Sequence, residues 1–437
     1  MGQRRSGLLF FASPALSLAA LGLPIAVILP PLYAELGLSL TAVGTVFMLA
    51  RFFDVFTDPL FGVLGDRLQT RWGRRKPAIA LGAPVLLAGV YFLFLPGVQV
   101  SELGLLVALL VLYSGWTLMT IAHTAWASEL SGDYDRRSEI MSTLQAAGLI
   151  GAVCVMSIPS IVDGIYDPSD MRLRAQYMGW FVLITLPIFT LLALYSIREP
   201  AVVPSTRINW RESWSSLRSN MALRRLLLAD VLMGFQGGVN GSLHFFLINH
   251  VFDLPEAAAP FLLVIFLTGL LCVPLFLWLS KRFGKHQTLC LGAIQSTVAT
   301  SLFFFLPANE LVWTFGVFVM VGVNFGAKDF LMRSMMADVI DQDHVMLGRE
   351  RSALFYSMLT LTGKIGTALA VGLVFPILDL VGFDPNGSNH PDTLQGVRWV
   401  AATAPTTVTI LVALIMWKFP LGRAEQVALR GRLERER

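Results

Sequence analysis

Residues 51–77 read RFFDVFTDPLFGVLGDRLQTRWGRRKP, and the fold turns on how this stretch is read. It places two carboxylates, Asp54 and Asp58, inside an apolar helix. A charge at the centre of a bilayer costs at least about 2.5–3.5 kcal/mol. Side chains four residues apart share one helix face. A membrane helix that carries two such charges side by side is expected to bind a cation or a proton there. The helix is then left through Gly62, Asp66 and Arg67, into a basic turn around Arg71 that ends Gly73-Arg74-Arg75.

The composition agrees with a membrane solvent. The chain is 55% hydrophobic and 14% charged, with a mean hydropathy of +0.66. A soluble domain would carry about 25% charge. The net charge of +4 reads as a bias of the connecting loops, not as nucleic-acid binding. Cys154, Cys272 and Cys290 all sit in apolar blocks without CxxC spacing, which argues against a disulfide framework or a zinc site. No HExxH or GxSxG pattern supports catalysis, so an enzyme is not expected. The N-terminal MGQRRSGLLFF imitates a signal peptide, but its apolar run continues to about Tyr33 and further spans follow, so cleavage is rejected. Gly2 and Ser6 fit a myristoylation pattern, although a basic flank is the simpler reading.

Twelve apolar segments are long enough to cross a bilayer: 9–34, 39–65, 77–96, 104–130, 139–162, 175–196, 224–251, 258–280, 287–307, 311–340, 351–381 and 396–418. Arginine and lysine collect in alternate connections, and acids such as Glu35, Glu102, Glu256 and Asp379 in the others. The positive-inside rule then puts both termini in the cytoplasm. The expected architecture is an all-α membrane protein of 12 transmembrane helices in two six-helix bundles. Residues 1–197 and 224–437 form the bundles, and 198–223 a central cytoplasmic loop. GVLGDRLQTRWGRRK after the second span is echoed by WLSKRFGKHQ after the eighth.

Gly62-x-x-x-Asp66-Arg67 with Arg71-x-Gly73-Arg74-Arg75 resembles the loop motif of the major facilitator superfamily. The longer string Asp54-x-x-Thr57-Asp58-Pro59-x-x-Gly62 with Arg71-Trp72-Gly73-Arg74-Arg75-Lys76-Pro77 resembles the glycoside–pentoside–hexuronide cation symporters, the group of melibiose permease. Ala337-Asp338-Val339-Ile340-Asp341, Gly348-Arg349-Glu350-Arg351, Phe355-Tyr356-Ser357 and Lys364 agree with it, as does Glu129-Leu130-Ser131-x-Asp133-Tyr134-x-x-Arg137. The resemblance implies a central cavity open to one side at a time. It also implies that Asp54 and Asp58 bind the coupling ion, H+ or Na+, that Thr120 adds a hydroxyl, and that Lys364 lies near the solute and cation sites. The family's sugar-binding acids are absent: the first acid is Glu35, beyond the first helix, and Ala122 or His123 and Gln145 stand where an Asp and an Arg are expected.

Several polar groups then carry two readings each. Asp54 and Asp58 cannot comfortably both ionise in a low dielectric, so one is protonated or a monovalent cation lies between them, with Thr57 and Thr120 as further oxygens. A structural ion pair with Lys364 is the alternative. Lys364 stands alone in LTLTGKIGTALA and calls for a counter-charge. His123 is a proton carrier or a neutral histidine bonded to backbone. Trp126 is a stacking platform for a ring or an interfacial anchor. Gln236, Asn240 and His244 make a polar stripe at i, i+4, i+8 beside Gly234, Gly237, Gly238 and Gly241, and form either a cavity wall or helix–helix hydrogen bonds. Lys328 and Asp329 touch the solute or join an ion network with Arg333. The basic loop, with Asp338 and Asp341 in the second half, biases one conformation or only sets topology.

The expected protein is therefore a monomeric multi-pass carrier of the inner or plasma membrane. It couples a small solute, a sugar or glycoside, to H+ or Na+ by alternating access and uses no cofactor. An amphipathic lipid or drug-like molecule on the same fold is the alternative cargo.

Overall fold

The computed structural model describes residues 5–67, 70–97, 100–163, 165, 171–197, 199, 220–347, 351–384 and 389–436. Every named element in them is helical, and no strand occurs among the described residues. The central connection expected at 198–223 falls largely outside them, as do Gly348, Arg349 and Glu350.

The chain divides into two compact units. The first comprises Met1–Ile208 together with Leu347–Met358. Its helices are α1 (Arg5–Ala12), α2 (Pro14–Ala20), α3 (Leu29–Glu35), α4 (Leu40–Arg67), α5 (Lys76–Phe94), α6 (Glu102–Glu129), α7 (Tyr134–Asp163) and α8 (Met171–Ser196). The apolar run expected as one span at 9–34 is broken into α1, α2, a π-helical turn at Pro24–Ile28, and α3. The prolines explain the breaks. Pro14 begins α2 and Pro24 begins the π turn, because a residue without an N–H and with fixed φ is tolerated at the start of a helix and disrupts its interior.

The second unit comprises Asn209–Met346 and Leu359–Arg437. It holds α9 (Met221–Phe246), α10 (Ala258–Phe283), α11 (Lys285–Ser301), α12 (Leu311–Val323), α13 (Ala327–Leu347), most of α14 (Ser352–Leu380), α15 (Pro391–Trp417) and α16 (Arg423–Glu436). The span expected at 311–340 is two helices, parted at Asn324. The first two turns of α14, to Met358, belong to the first unit.

Ten helical stretches among the described residues are long and apolar enough to cross a membrane. The helix α4, at 28 residues, would extend about 42 Å but carries Arg51, Asp54, Asp58 and Asp66, which keep its hydropathy down. The 17-residue α11 is short. In lipid there is no hydrophobic drive between helices, so small residues that admit close approach carry much of the association. In the first unit α5 packs on α6 through Gly82, Gly89 and Gly115. A methyl at Gly89 would stand 2.5 Å from Leu112 Cα. In the second unit Gly234 and Gly238 of α9 meet the backbone of α14 at Gly363 and Thr367. Aromatic rings fill the rest of that core, with Phe261 and Phe318 stacked at 5.1 Å between centroids and Phe303 5.7 Å from Phe318.

Replacing Gly89 by valine forces branched carbon into helix backbone that cannot step aside. The expected loss is about 1–3 kcal/mol, read as a lower melting temperature of the detergent-solubilised protein. Leu81→Ala, at a residue that is 61% exposed, should melt like the parent.

Candidate functional site

Asp54 and Asp58 lie on adjacent turns of α4 and are 2% and 0% exposed. Thr117 of α6 faces both. Its hydroxyl lies 2.9 Å from Asp54 Oδ1 and 3.1 Å from Asp58 Oδ1, so one donor is shared between two carboxylates. The next residue, Pro59, removes the N–H that would have bonded to the Val55 carbonyl, so the backbone ladder is interrupted beside the pair. Thr57 is buried, and its hydroxyl donates to the Asp54 backbone carbonyl. The hydroxyl expected at Thr120 has no hydrogen-bond partner among the described residues; the one that reaches the carboxylates is a turn earlier on the same helix. Carboxylate and hydroxyl oxygens converging on one point form the donor set of a small hard cation or of a shared proton.

One turn before the pair, the Arg51 guanidinium lies 5.1 Å from the centroid of the Tyr113 ring, and Tyr113 stacks nearly parallel to Trp116. Sequence reasoning passed over Arg51 and Thr117. Their i, i+3 and i, i+4 spacing to Asp54 and Tyr113 was the available signal.

The loop motif forms a second, largely buried charge cluster. Arg75 is 0% exposed. Its Nη2 donates to Asp66 Oδ1 at 2.8 Å, to Glu129 Oε1 at 2.6 Å and to Ser352 Oγ at 2.7 Å, while Nη1 donates to the Gly65 carbonyl at 3.1 Å. Burial works against the guanidinium charge, but Glu129 and Asp66 outweigh it, so the proton is held more firmly than in water. Arg74 Nη2 adds a 2.6 Å bond to Glu129. Asp66 also accepts from the backbone N–H groups of Ala353 and Leu354, at 3.1 and 2.9 Å. It therefore caps the start of α14, where amides lack partners and negative charge is favoured. Gly62 is needed here, since a methyl would come within 2.5 Å of Ser357 Oγ. Arg71 is exposed, and the side chain of Arg67 lies outside the described residues.

Glu199 closes the loop from the far end of the first unit. Its carboxylate accepts from the backbone N–H groups of Arg74 and Arg75 at 2.6 and 2.7 Å. Gly73, at φ +112°, makes room for it. The second unit repeats the device in smaller form. Gly284, at φ +99°, precedes Lys285, whose Nζ lies 2.6 Å from Asp338, both being about 1% exposed. Asp341 accepts from Gln426 of α16 at 2.6 Å.

The other expected groups are divided between the two units. His123 is buried, with Nε2 2.8 Å from the Phe11 carbonyl and its ring 4.7 Å from that of Phe11. Trp126 is fully buried, edge-on to Phe11 with Lys76 above its ring. Gln145 is half-buried on α7. Of the stripe on α9, Gln236 donates to Ser296 at 2.8 Å and His244 bonds the Ala258 carbonyl at 2.8 Å, which ties α9 to its neighbours. Asn240 is half-buried. Lys364 is half-buried on α14 in the second unit.

Lys328 and Asp329 line a cavity of about 210 Å³ within the second unit, together with Asp230, Thr367, Met233 and Met332. Thr362 donates to Asp230 Oδ2 at 2.7 Å. Asp230 was missed in the sequence, where a single acid in RRLLLADVLMG follows closely on a basic helix start.

A family model described as MFS/sugar transport protein matches residues 10–423. The glucuronide carrier protein homolog of Escherichia coli (strain K12) is 23% identical over 392 residues, which cover 88% of this chain and 85% of that protein. The sodium-dependent lysophosphatidylcholine symporter 1-B of Danio rerio is 24% identical over 459 residues, covering 94% of this chain and 84% of its own. Among solved structures, the Escherichia coli fucose:proton symporter FucP superposes with a TM-score of 0.70 at 14% identity, over 95% of this chain and 98% of that one. That likeness establishes the helical transporter fold.

Removing Arg75 would take its ion pair from the buried Asp66 carboxylate and one of the two arginine partners from Glu129. Arg75→Leu is expected to cost about 3–5 kcal/mol and to lower the melting temperature sharply. Arg75→Lys keeps the charge but not the fork that reaches Asp66, Glu129, Ser352 and Gly65 together, and should fall in between. Equal melting of all three proteins would contradict this account of the cluster.

Proposed function

The chain belongs to the MFS/sugar transport protein family, whose members are multi-pass membrane transporters rather than enzymes, and on that premise we propose that it is a cation-coupled symporter of a small solute, a sugar or glycoside, in the inner or plasma membrane. The observation that carries the coupling is the shared Thr117 hydroxyl between two buried carboxylates. Two adjacent negative charges in a medium of low dielectric repel strongly, and a bound H+ or Na+ relieves that repulsion. Ion binding then changes the relative stability of two conformations, and a solute that prefers one of them is carried with the ion. The membrane potential supplies about 2.3 kcal/mol per charge per 100 mV. The same reading takes residues 1–197 and 224–437 as two six-helix bundles, twelve spans in all with both termini cytoplasmic. The Arg75 cluster serves as the latch of one conformation.

The fish relative's name supports a second reading, an amphipathic lipid as cargo. Proteoliposomes offered radiolabelled methyl glycosides and lysophosphatidylcholine in parallel discriminate the two.

Asp54→Cys and Asp58→Cys should abolish accumulation against a gradient with expression intact, and Thr117→Val should raise the half-saturating ion concentration about tenfold, the equivalent of one hydrogen bond to a charge. Active accumulation by both cysteine variants sinks the coupling assignment. Uptake stimulated by Na+ without movement of protons identifies the ion as sodium, and solute-driven proton uptake in weak buffer identifies it as H+.

Lys364 is proposed to act through its charge. Lys364→Arg should keep part of the transport, whereas Lys364→Ala should lose it, since an ammonium in an apolar span is retained for a ligand or counter-charge. Native rate and native ion dependence in Lys364→Ala would assign it to a solvated cavity wall.

A further inference from the structure

The last helix, α16, is fastened to other helices of the second unit. Gln426, 1% exposed, donates to Asp341 Oδ2 of α13 at 2.6 Å. Arg423 donates to the carbonyl of Lys281, near the end of α10. Just before α16, Gly422 sits against His286 at the start of α11. A methyl on Gly422 would stand 3.8 Å from His286 Cε1 and 2.8 Å from Glu425 Oε2. The Phe419 ring lies 6.2 Å from the imidazole, centroid to centroid. Residues 419–425 therefore cover the histidine.

Under that cover His286 Nδ1 is buried and has no hydrogen-bond partner among the described residues. A neutral imidazole tolerates this, because one of its nitrogens is a bare acceptor. A protonated ring does not. Both nitrogens then carry hydrogen, and Nδ1–H would be sealed away from any acceptor, which is penalised. The neighbouring charges give limited help. Lys281 and Arg282 end α10, Lys285 precedes the histidine, Lys418 follows α15, and Arg423 begins α16, all of the same sign as an imidazolium. Asp338 is taken up by Lys285 at 2.6 Å, and Asp341 by Gln426. Glu425 is the acid whose field bears on the ring. Burial holds the proton affinity of His286 below that of a free imidazole, and Glu425 offsets only part of that.

We propose that α16 is a pH-released clasp: it stays seated on α10, α11 and α13 while His286 is neutral, and protonation of His286 unseats it. The sign follows from comparing the two states. Seated, the ring resists the proton; released, it takes one at the ordinary value of about 6.5. The seat is complete above about pH 6.5 and weakens as the pH falls below it, by up to about tenfold per unit. Release also strips Gln426 from Asp341, one turn beyond the Asp338 that pairs with Lys285. The last helix thereby responds to the proton concentration on the face where it sits, whatever solute the chain carries.

Hydrogen–deuterium exchange of the solubilised full chain, read in peptides spanning residues 423–431, tests this at about pH 7.5 and about pH 5.5, one unit either side of the free imidazole. Rates are corrected for the intrinsic pH dependence of amide exchange. Protection of α16 is expected to fall at least tenfold at the lower pH, while peptides from α5 and α6 keep theirs. His286→Asn and His286→Gln, which stay neutral, should hold α16 protected at both. His286→Lys, charged throughout, should leave it exchanging fast at both. Glu425→Gln removes the charge that eases protonation and should deepen the acid loss. Equal protection of the parent at the two pH values, or none at either, overturns the inference. An acid loss of native size in well-folded His286→Asn and His286→Gln also overturns it. So does disappearance of the loss in Glu425→Gln, which assigns the response to that carboxylate.

Discussion

A guanidinium with no exposure to solvent constrains everything near it. Arg75 can be buried only because Asp66, Glu129, Ser352 and the Gly65 carbonyl reach it together. Those four partners come from three places: the end of α4 (Gly65 and Asp66), the end of α6 (Glu129) and the start of α14 (Ser352). Asp66 has a double duty, neutralising Arg75 and capping α14 through two backbone amides. The short turn between α4 and α5 is therefore a junction whose geometry is dictated by charge satisfaction. Close approach at Gly62 follows from the same demand, since any side chain there would push Ser357 away.

The acid pair obeys the opposite logic. Around Arg75 positive and negative side chains meet directly, with Asp66 and Glu129 both bonded to the guanidinium. At Asp54 and Asp58 one hydroxyl, that of Thr117, bonds to both carboxylates. The first arrangement joins opposite charges. The second brings two carboxylates to a single shared donor, the feature on which the proposed ion site rests.

Much of this was legible in the sequence. Apolar blocks gave the helices, and the spacing of Asp54, Asp58, Gly62 and Asp66 singled out the acid pair and the basic loop, because helical periodicity and the cost of buried charge act locally; that Arg75 would meet Glu129 and Ser352 was not legible. What depends on rotation between helices was not legible. Thr117 and Thr120 differ by about 60° around α6 and 4.5 Å along it, and only the packing of α4 decides which one faces the acids. His123, Gln236 and His244 looked equally fit for function or for packing. Their partners, the Phe11 carbonyl, Ser296 and the Ala258 carbonyl, lie on other elements. Asp230 escaped notice because its significance comes from Thr362 and Lys328, distant in sequence. The breaks at Pro14 and Pro24 were visible, but the apolar run across them concealed their effect.

Glu199 and Gly73 form a further pair with a bearing on descent. The carboxylate occupies the space a side chain at position 73 would need, and its two short bonds to the Arg74 and Arg75 amides hold that loop to the exit of α8. Neither residue can drift alone. A larger side chain at 73 evicts the carboxylate, and loss of the carboxylate leaves two amides and a left-handed backbone turn without their reason. Through 125 residues of intervening sequence the two positions behave as a single inherited character. Related chains should change both together or neither.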